Sequence, residues 1–477
     1  MDSIFNIKVD KTLQTPLYRQ LGDAIFLLIE NGVLKPNEKL PPIRRLAEEA
    51  GVNNSTAVSA YKYLENKKAV YSQTGSGTFV SPIPLEEIPP PVIEEHMRLI
   101  KRPEAGPGII NFTSTSLPQE LFPVDEFKSA FDSLLDRERG NAFGNMDAQG
   151  FFPLRESLCK YLEIYGINQT PDNIQVLSGA QQGIDTVSKA MASYGDVVFM
   201  EKPTFYGAAG SFLSRGCQII EIPMEHDGMD ISALENLAKL YRPKFIYIMA
   251  YFQTPTGATY SSAKKKTILD LAEKYNFYII EDDNLYDFNY SKEPIVPFKA
   301  LDYRNRVVYI KSFSKILMPG LRVGFAAMPK KIISRMTTAK YTTDISTSGF
   351  LQKALDIYFR ENNWREHIKS IRLYGMEKYR IAVKYADRLL KPYAKYHKPN
   401  GGISLWIDTK GIPADELLKA CAQKNVLLSH GGQFYINGEN SSYVRLSFIN
   451  VSDEKLEAGI RRMGECLKGF TTGGKKV

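Results

Sequence analysis

Cysteine is scarce in this chain of 477 residues. Only Cys159, Cys217, Cys421 and Cys466 occur, far apart and with no Cys-x-x-Cys pair. That spacing argues against a zinc ribbon or a disulfide framework, no metal site is expected, and a reducing compartment is the better reading. Long apolar runs are lacking too: stretches such as 24–29 are far too short to span a bilayer. The opening MDSIFNIKVD has early acids and no apolar core, so it does not read as a signal peptide. Charge of one sign is not dominant. Lys plus Arg is 61 against 53 for Asp plus Glu, a net +8 that permits a nucleic-acid partner without demonstrating one. No repeat is visible. With 43% hydrophobic and 24% charged residues, collagen-like, low-complexity and disordered classes are excluded. A soluble cytoplasmic protein of roughly two to four domains is expected.

What is present is unevenly distributed. Pro82, Pro84, Pro89, Pro90, Pro91, Pro103 and Pro107 crowd into 82–108. Proline this dense lacks amide donors and resists helix and sheet, so the stretch reads as a semi-stiff spacer, with a short helix near 92–101. The chain therefore divides into a small module (1–81), a linker (82–108), a large domain (109–471) and a Gly- and Lys-rich tail (472–477) expected to fray.

In the small module, Leu17, Leu21, Ile25 and Leu28 recur at helical spacing after Pro16. Pro41 and Pro42 open a second helix, 43–50, stopped by Gly51. Asn53-Asn54-Ser55 caps a third that runs to about residue 67, with Val58, Tyr61 and Leu64 facing inward. The short turn between the last two is a helix-turn-helix signature. Two strand-like runs, 69–71 and 78–80, flank Gly75-Ser76-Gly77 as a hairpin. Such a unit suits DNA: a recognition helix presents its N-terminal residues to base edges while basic side chains grip phosphates. Asn54, Ser55, Thr56 and Ser59 lie at that end, and Arg44 and Arg45 start the preceding helix. A three-helix bundle for protein contacts is the plainer alternative. The segment from PLYRQLGDAI to GSGTFV resembles the winged helix-turn-helix of GntR-type bacterial regulators, carried by Leu40-Pro41, Arg44 with Leu46-Ala47, and Gly75-Ser76-Gly77-Thr78-Phe79-Val80. The resemblance implies DNA contacts from Arg44, the 54–56 segment and the wing tip near Gly77. Asn54 stands where many relatives have Arg, so base preference is expected to differ.

After residue 108, short apolar runs alternate with helical periodicity. Runs at 174–177, 197–200, 218–222, 245–249, 277–280 and 307–310 read as buried strands of a largely parallel sheet, an α/β domain. Ligands collect beyond the carboxyl ends of such strands. Polar or Gly-rich segments stand there: Ser178-Gly179-Ala180-Gln181-Gln182-Gly183, Pro203-Thr204-Phe205-Tyr206, Pro255-Thr256-Gly257, Asp282-Asp283 and Ser312-Phe313-Ser314-Lys315. Each alone has an ordinary explanation as a loop, a cap, an ion pair or core. Together they describe a pocket. Gly179-Ala180-Gln181 opens a helix whose free amides suit a phosphate, and Ser312, Ser314 and Arg322 add a second set of phosphate ligands. Lys315 among them is placed to form a Schiff base. Asp282, ending a buried strand, needs a partner such as a pyridinium nitrogen. Phosphate, aldehyde and pyridine together define pyridoxal 5′-phosphate.

The large domain resembles fold-type-I aminotransferases, with a mostly parallel sheet and a small C-terminal domain, and especially the branch with kynurenine and 2-aminoadipate aminotransferases. SFSKILMPGLRVG, EDD at 281–283, LSGAQQGID, EKPTF, YVRLSF and NGGISLW carry the match. It implies Lys315 as cofactor lysine, and Ser312, Ser314 and Arg322 as phosphate ligands. Asp282 becomes the pyridine partner, Ala180 and Gln181 backbone phosphate donors, and Phe205 the stacking ring. Arg445 becomes the fork for a substrate or effector carboxylate. Three departures weaken proton handling and cofactor grip: Thr254 replaces the usual Asn before Pro-Thr-Gly, Asn284 and Leu285 stand where a tyrosine is common, with Tyr286 following, and Phe143 replaces a tyrosine that reaches the partner subunit. They favour a sensor over a fast enzyme. The two halves together resemble the MocR-type regulators. The resemblance implies a homodimer that binds double-stranded operator DNA and senses the cofactor, or an amine or amino-acid effector, through an aldimine at Lys315. The rival reading is an active aminotransferase with an accessory DNA-binding module.

Overall fold

The computed structural model describes residues 15–30, 33–67, 69–73, 77–81, 106, 108–436 and 441–472, together with residues 7 and 9. Most of the expected spacer, its helix at 92–101, the hairpin tip Gly75-Ser76 and the tail from 473 lie outside the described residues. The chain forms two compact units, Met1–Pro91 and Val92–Val477.

The first unit is a winged helix. Helices α1 (Leu17–Glu30), α2 (Ile43–Glu49) and α3 (Asn54–Asn66) precede strands β1 (Val70–Gln73) and β2 (Gly77–Val80). Its core joins Leu21, Ile25, Leu46, Ala57, Ala60, Tyr61 and Leu64. Val58, expected inward, is only half-buried, and the two alanines take the inner positions. Helix α2 ends one residue early, with Ala50 as its C-cap. Asn53 caps α3 by accepting from the Thr56 amide at 2.8 Å. The Tyr61 hydroxyl donates to the Pro41 carbonyl at 2.7 Å, pinning α3 to the start of α2. The hairpin pairs Val70 with Val80, and Lys39 makes an isolated antiparallel bridge to Phe79.

The second unit begins with β3 (Ile110–Asn111). Its main sheet holds β4 (Ile174–Leu177), β5 (Val197–Lys202), β6 (Gln218–Glu225), β7 (Gly228–Met229), β8 (Phe245–Ile248), β9 (Tyr278–Asp283), β10 (Val307–Ser312) and β11 (Gly324–Ala327), in the order β4-β11-β10-β9-β8-β5-β6-β7. The five strands from β10 to β6 are mutually parallel. β11 runs antiparallel between β10 and β4, and β7 runs antiparallel to β6. All six expected runs are strands. β9 extends through Asp282 and Asp283, which therefore lie inside the sheet rather than after it. Helices Ala180–Met191 and Ser262–Lys274 are among those that connect these strands.

A C-terminal lobe follows, reached through the long helix Trp364–Leu389. Strands β12 (Lys395–Tyr396), β13 (Ser404–Asp408), β15 (Ser429–His430) and β16 (Tyr443–Ser447) form a sheet ordered β12-β13-β16-β15, while β14 (Val426–Leu427) pairs in parallel with β3. Ile110 and Phe112 join this lobe's core with Leu405, Ile407, Val444 and Leu456.

Candidate functional site

The parallel strands end on one edge, and their ends carry the expected polar residues. β4 stops at Leu177, and Gly179, at φ 98°, turns the chain into the helix Ala180–Met191. A Cβ at Gly179 would stand 2.8 Å from Nη2 of Arg322, so only glycine permits this approach. Arg322 donates to the Ser178 carbonyl at 3.0 Å and to Oγ of Ser314 at 3.3 Å. The Ser312 hydroxyl lies 3.1 Å from that of Ser314 and accepts from its amide at 3.2 Å. The helix amides at Ala180 and Gln181, two hydroxyls and a guanidinium thus meet in one cradle suited to a dianion. Phe205 is 38% exposed. A Cβ at Gly207 would lie 2.6 Å from its ring and 2.5 Å from Oε1 of Gln181, placing that ring beside the same helix start. Gln181 itself donates to the Gly207 carbonyl at 2.7 Å.

Asp282 is 4% exposed at the end of β9. Its Oδ2 accepts from the Tyr247 hydroxyl at 2.6 Å, and its Oδ1 is buried with no hydrogen-bond partner among the described residues. Burial pushes this carboxyl up to about 6, with the Tyr247 bond pulling it down. An orphaned buried carboxylate oxygen is costly, and a protonated ring nitrogen is the chemistry that would satisfy it. Glu201 on β5, two strands from β9, is fully buried; burial raises it to about 8 although Gln253, Tyr260 and the Met249 amide all donate to it.

Lys315 follows β10 on a short 3-10 turn and donates to the carbonyl of Thr115 at 3.1 Å and to its hydroxyl. Arg445 lies on β16 in the C-terminal lobe. It donates to Oγ of Ser429 at 3.1 Å and to the Thr113 carbonyl at 3.4 Å, with its guanidinium 5.0 Å from the Phe434 ring centre. Residues 113–115 thus touch both basic side chains. Thr254 is half-buried before Pro255. Tyr286 does not stand in for the missing tyrosine, since its hydroxyl donates to the Ile295 carbonyl at 2.8 Å. Phe143 is 67% exposed and stacked on Phe350.

Tyr247, Thr113 and Thr115 escaped sequence reasoning. Tyr247 sits in an apolar strand and reads as core, and the two threonines sit in the polar loop-like INFTSTSLPQ. A second buried cluster was also missed. Lys311 on β10 pairs with Asp283 at 3.0 Å and Asp287 at 2.7 Å, all with 0% side-chain exposure. The hydroxyls of Tyr309 and Tyr165 donate to those two carboxylates.

In the winged helix, Asn54, Ser55 and Ser59 are exposed along the N-terminal half of α3, and Thr56, whose amide serves the cap, is half-buried. Arg44 is exposed on α2, Arg45 pairs with Glu49 at 3.1 Å, and Gly77 is exposed at the start of β2 at φ 114°.

Comparison with known proteins agrees with both halves. The family model for aminotransferase class I and II matches residues 107–463, and that for bacterial regulatory proteins of the gntR family matches 17–80. The chain belongs to the aminotransferase class I and II family and carries a GntR helix-turn-helix domain ahead of it. Relatives that match it over nearly their whole length include helix-turn-helix regulators. The uncharacterized HTH-type transcriptional regulator YdfD of Bacillus subtilis is 28% identical over 96% of this chain and 98% of its own length. The probable rhizopine catabolism regulatory protein MocR of Rhizobium meliloti is 24% identical over 98% and 97%. Among solved structures, the kynurenine aminotransferase of Pyrococcus horikoshii, in complex with PMP, is 31% identical with a TM-score of 0.74, covering 80% of this chain and 95% of that one. No described helix is long and apolar enough to cross a membrane.

Proposed function

We propose that this chain is a DNA-binding transcriptional regulator whose aminotransferase-like domain binds pyridoxal 5′-phosphate and responds to it or to an amine or amino-acid effector. One observation supports the reading: a single chain joins a winged helix whose third helix starts with exposed polar residues to an α/β domain with Lys315, the Ser312-Ser314-Arg322 cradle and, at the end of β9, an Asp282 oxygen without a hydrogen-bond partner among the described residues. The domains follow the sequence division, with a DNA-binding module at 1–81, a linker at 82–108, an effector-binding domain at 109–471 and a tail at 472–477.

Each residue then has a task. Ala180 and Gln181 amides, Ser312, Ser314 and Arg322 hold the phosphate. Asp282 takes the ring nitrogen, Phe205 covers the ring face, and Thr254 offers a hydroxyl to the ring oxygen. Lys315 supplies the nitrogen for covalent attachment. Arg445, a planar fork, takes a carboxylate in two places. When bound, the cofactor supplies an aldehyde and an electron sink. Arg44, Asn54, Ser55, Thr56, Ser59 and Gly77 form the face toward duplex DNA. A homodimer in the cytoplasm, reading paired half-sites, completes the proposal. Effector binding must favour one of two conformations to change DNA affinity.

The test is a gel shift on the DNA upstream of the gene, titrated with pyridoxal phosphate and candidate amines, repeated on Lys315→Ala. A mutant that answers both ligands as the parent does overturns the reading. The presence of Lys315, Asp282, Arg322 and Arg445 supports a second reading, a working aminotransferase. Sustained turnover of an amino acid with a 2-oxo acid would establish it.

A further inference from the structure

The first strand after the linker is built into the C-terminal lobe rather than the main sheet. Ile110 donates its amide to the Asn425 carbonyl and Phe112 to that of Leu427, both at 2.9 Å, and the Ser447 amide donates to the Phe112 carbonyl at 2.9 Å. The two side chains are 3% and 0% exposed. Oδ1 of Asn111 then accepts from the amide and hydroxyl of Thr113 at 2.9 and 2.7 Å, an Asx turn that swings the chain out of the lobe. Beyond the turn, the Thr113 carbonyl meets Arg445, Oγ of Ser114 accepts from Asn450 at 3.3 Å, and Thr115 meets Lys315 through both carbonyl and hydroxyl. Segment 110–116 is a strap. One end is moored in the lobe that carries Arg445, and the other is tied to the lysine that follows β10.

Resting on the functional reading above, we propose that this strap relays occupancy of the site toward the linker, with Thr115 as the positioning residue of Lys315. An ammonium has three donors and can serve both Thr115 oxygens at once. Condensation of the Lys315 amine with the cofactor aldehyde releases one water and leaves the nitrogen with at most one proton. Both contacts to Thr115 cannot then persist. An effector amine that takes over the aldehyde carbon returns the free amine to Lys315, and the bonds to Thr115 can re-form. A carboxylate on the same effector competes with the Thr113 carbonyl for Arg445. The strap therefore responds to both ends of an amino acid, and residue 110 is only two positions beyond the linker.

The experiment uses the full chain, with pyridoxal phosphate as the probe. Amide hydrogen exchange over 113–117 is compared with and without it, and DNA affinity is measured for the parent, Thr115→Val and Thr115→Ser. The expected result is faster strap exchange on loading, and a DNA affinity that changes at least about fivefold in the parent and in Thr115→Ser but under about twofold in Thr115→Val. Unchanged strap exchange in the loaded parent overturns the relay. So does a Thr115→Val protein that shows the lysine-linked visible absorbance and responds on DNA as the parent does. A parent with no such absorbance, or with DNA affinity indifferent to the probe, overturns the functional reading itself. That is a separate result, because it appears without any strap variant.

Discussion

The hydroxyl of Tyr247 donates to Oδ2 of Asp282 at 2.6 Å, and the other oxygen of that carboxylate has no hydrogen-bond partner among the described residues. The pair sits at neighbouring strand ends, so one bond from β8 aims the carboxylate of β9. A carboxyl whose pKa is higher in the folded chain stabilises the fold fully below its unfolded value and loses that contribution as pH rises through the folded one. Burial moves Asp282 from 3.8 to about 6. Cofactor-free protein should therefore lose roughly 3 kcal/mol from this group between about pH 4 and 6. Glu201, raised to about 8, extends the same trend toward neutrality. Urea unfolding across pH should show Asp282→Asn without its share of that loss. Cofactor should bind the parent most tightly above about pH 6, where Asp282 is ionised.

Removing Lys311 should be far more damaging than its position on a strand suggests. Lys311→Met leaves Asp283 and Asp287 buried together without a cation. Breaking a buried pair from one side costs about 3–5 kcal/mol. Denaturant unfolding of the variant should show a loss of that size. A loss under about 1 kcal/mol, the scale of an exposed pair, would mean that the cluster hydrates or reprotonates instead.

Gly179→Ala tests the cradle. The new Cβ would fall 2.8 Å from Arg322 at a backbone φ of 98°, so the guanidinium must shift. Backbone strain of about 1–2 kcal/mol adds to that. Cofactor affinity, read from visible absorbance during titration, should fall at least about tenfold, the equivalent of 1.4 kcal/mol.

On the DNA side, Arg44→Ala and Asn54→Ala should differ in kind. A phosphate contact from Arg44 predicts uniform weakening on all sequences and a salt slope lower by about one. A base-edge contact from Asn54 predicts a loss of about 1–3 kcal/mol confined to the preferred site. Fluorescence anisotropy on specific and scrambled duplexes, across salt, separates them.

Much of the large unit was legible because buried parallel strands are short apolar runs and their carboxyl ends must carry whatever polar chemistry the pocket uses. The runs at 174–177 and 307–310 announced themselves in this way. β11 did not, because Gly-Phe-Ala-Ala looks like a loop leaving Arg322, and it becomes a strand only between β10 and β4. The expected strand run stops at 280, whereas β9 continues through Asp282 and Asp283, since buried partners let the ladder run on through charged residues. Lys311 carried no signal: a lysine in a strand reads as solvent-facing until Asp283 and Asp287 are seen around it. The contacts of Thr113 and Thr115 were hidden by distance along the chain, with partners 332 and 200 positions away. Pairings that remote leave no periodicity to read.

Dissection of the molecule into separable halves has a boundary set by β3. A fragment cut after residue 112 would strip β14 of its neighbour and empty the places filled by Ile110 and Phe112, whose ring lies where a side chain on Gly459 would otherwise project. Severing before Gly108 keeps that plug with the aminotransferase-like unit and leaves the winged helix on the other side of the cut.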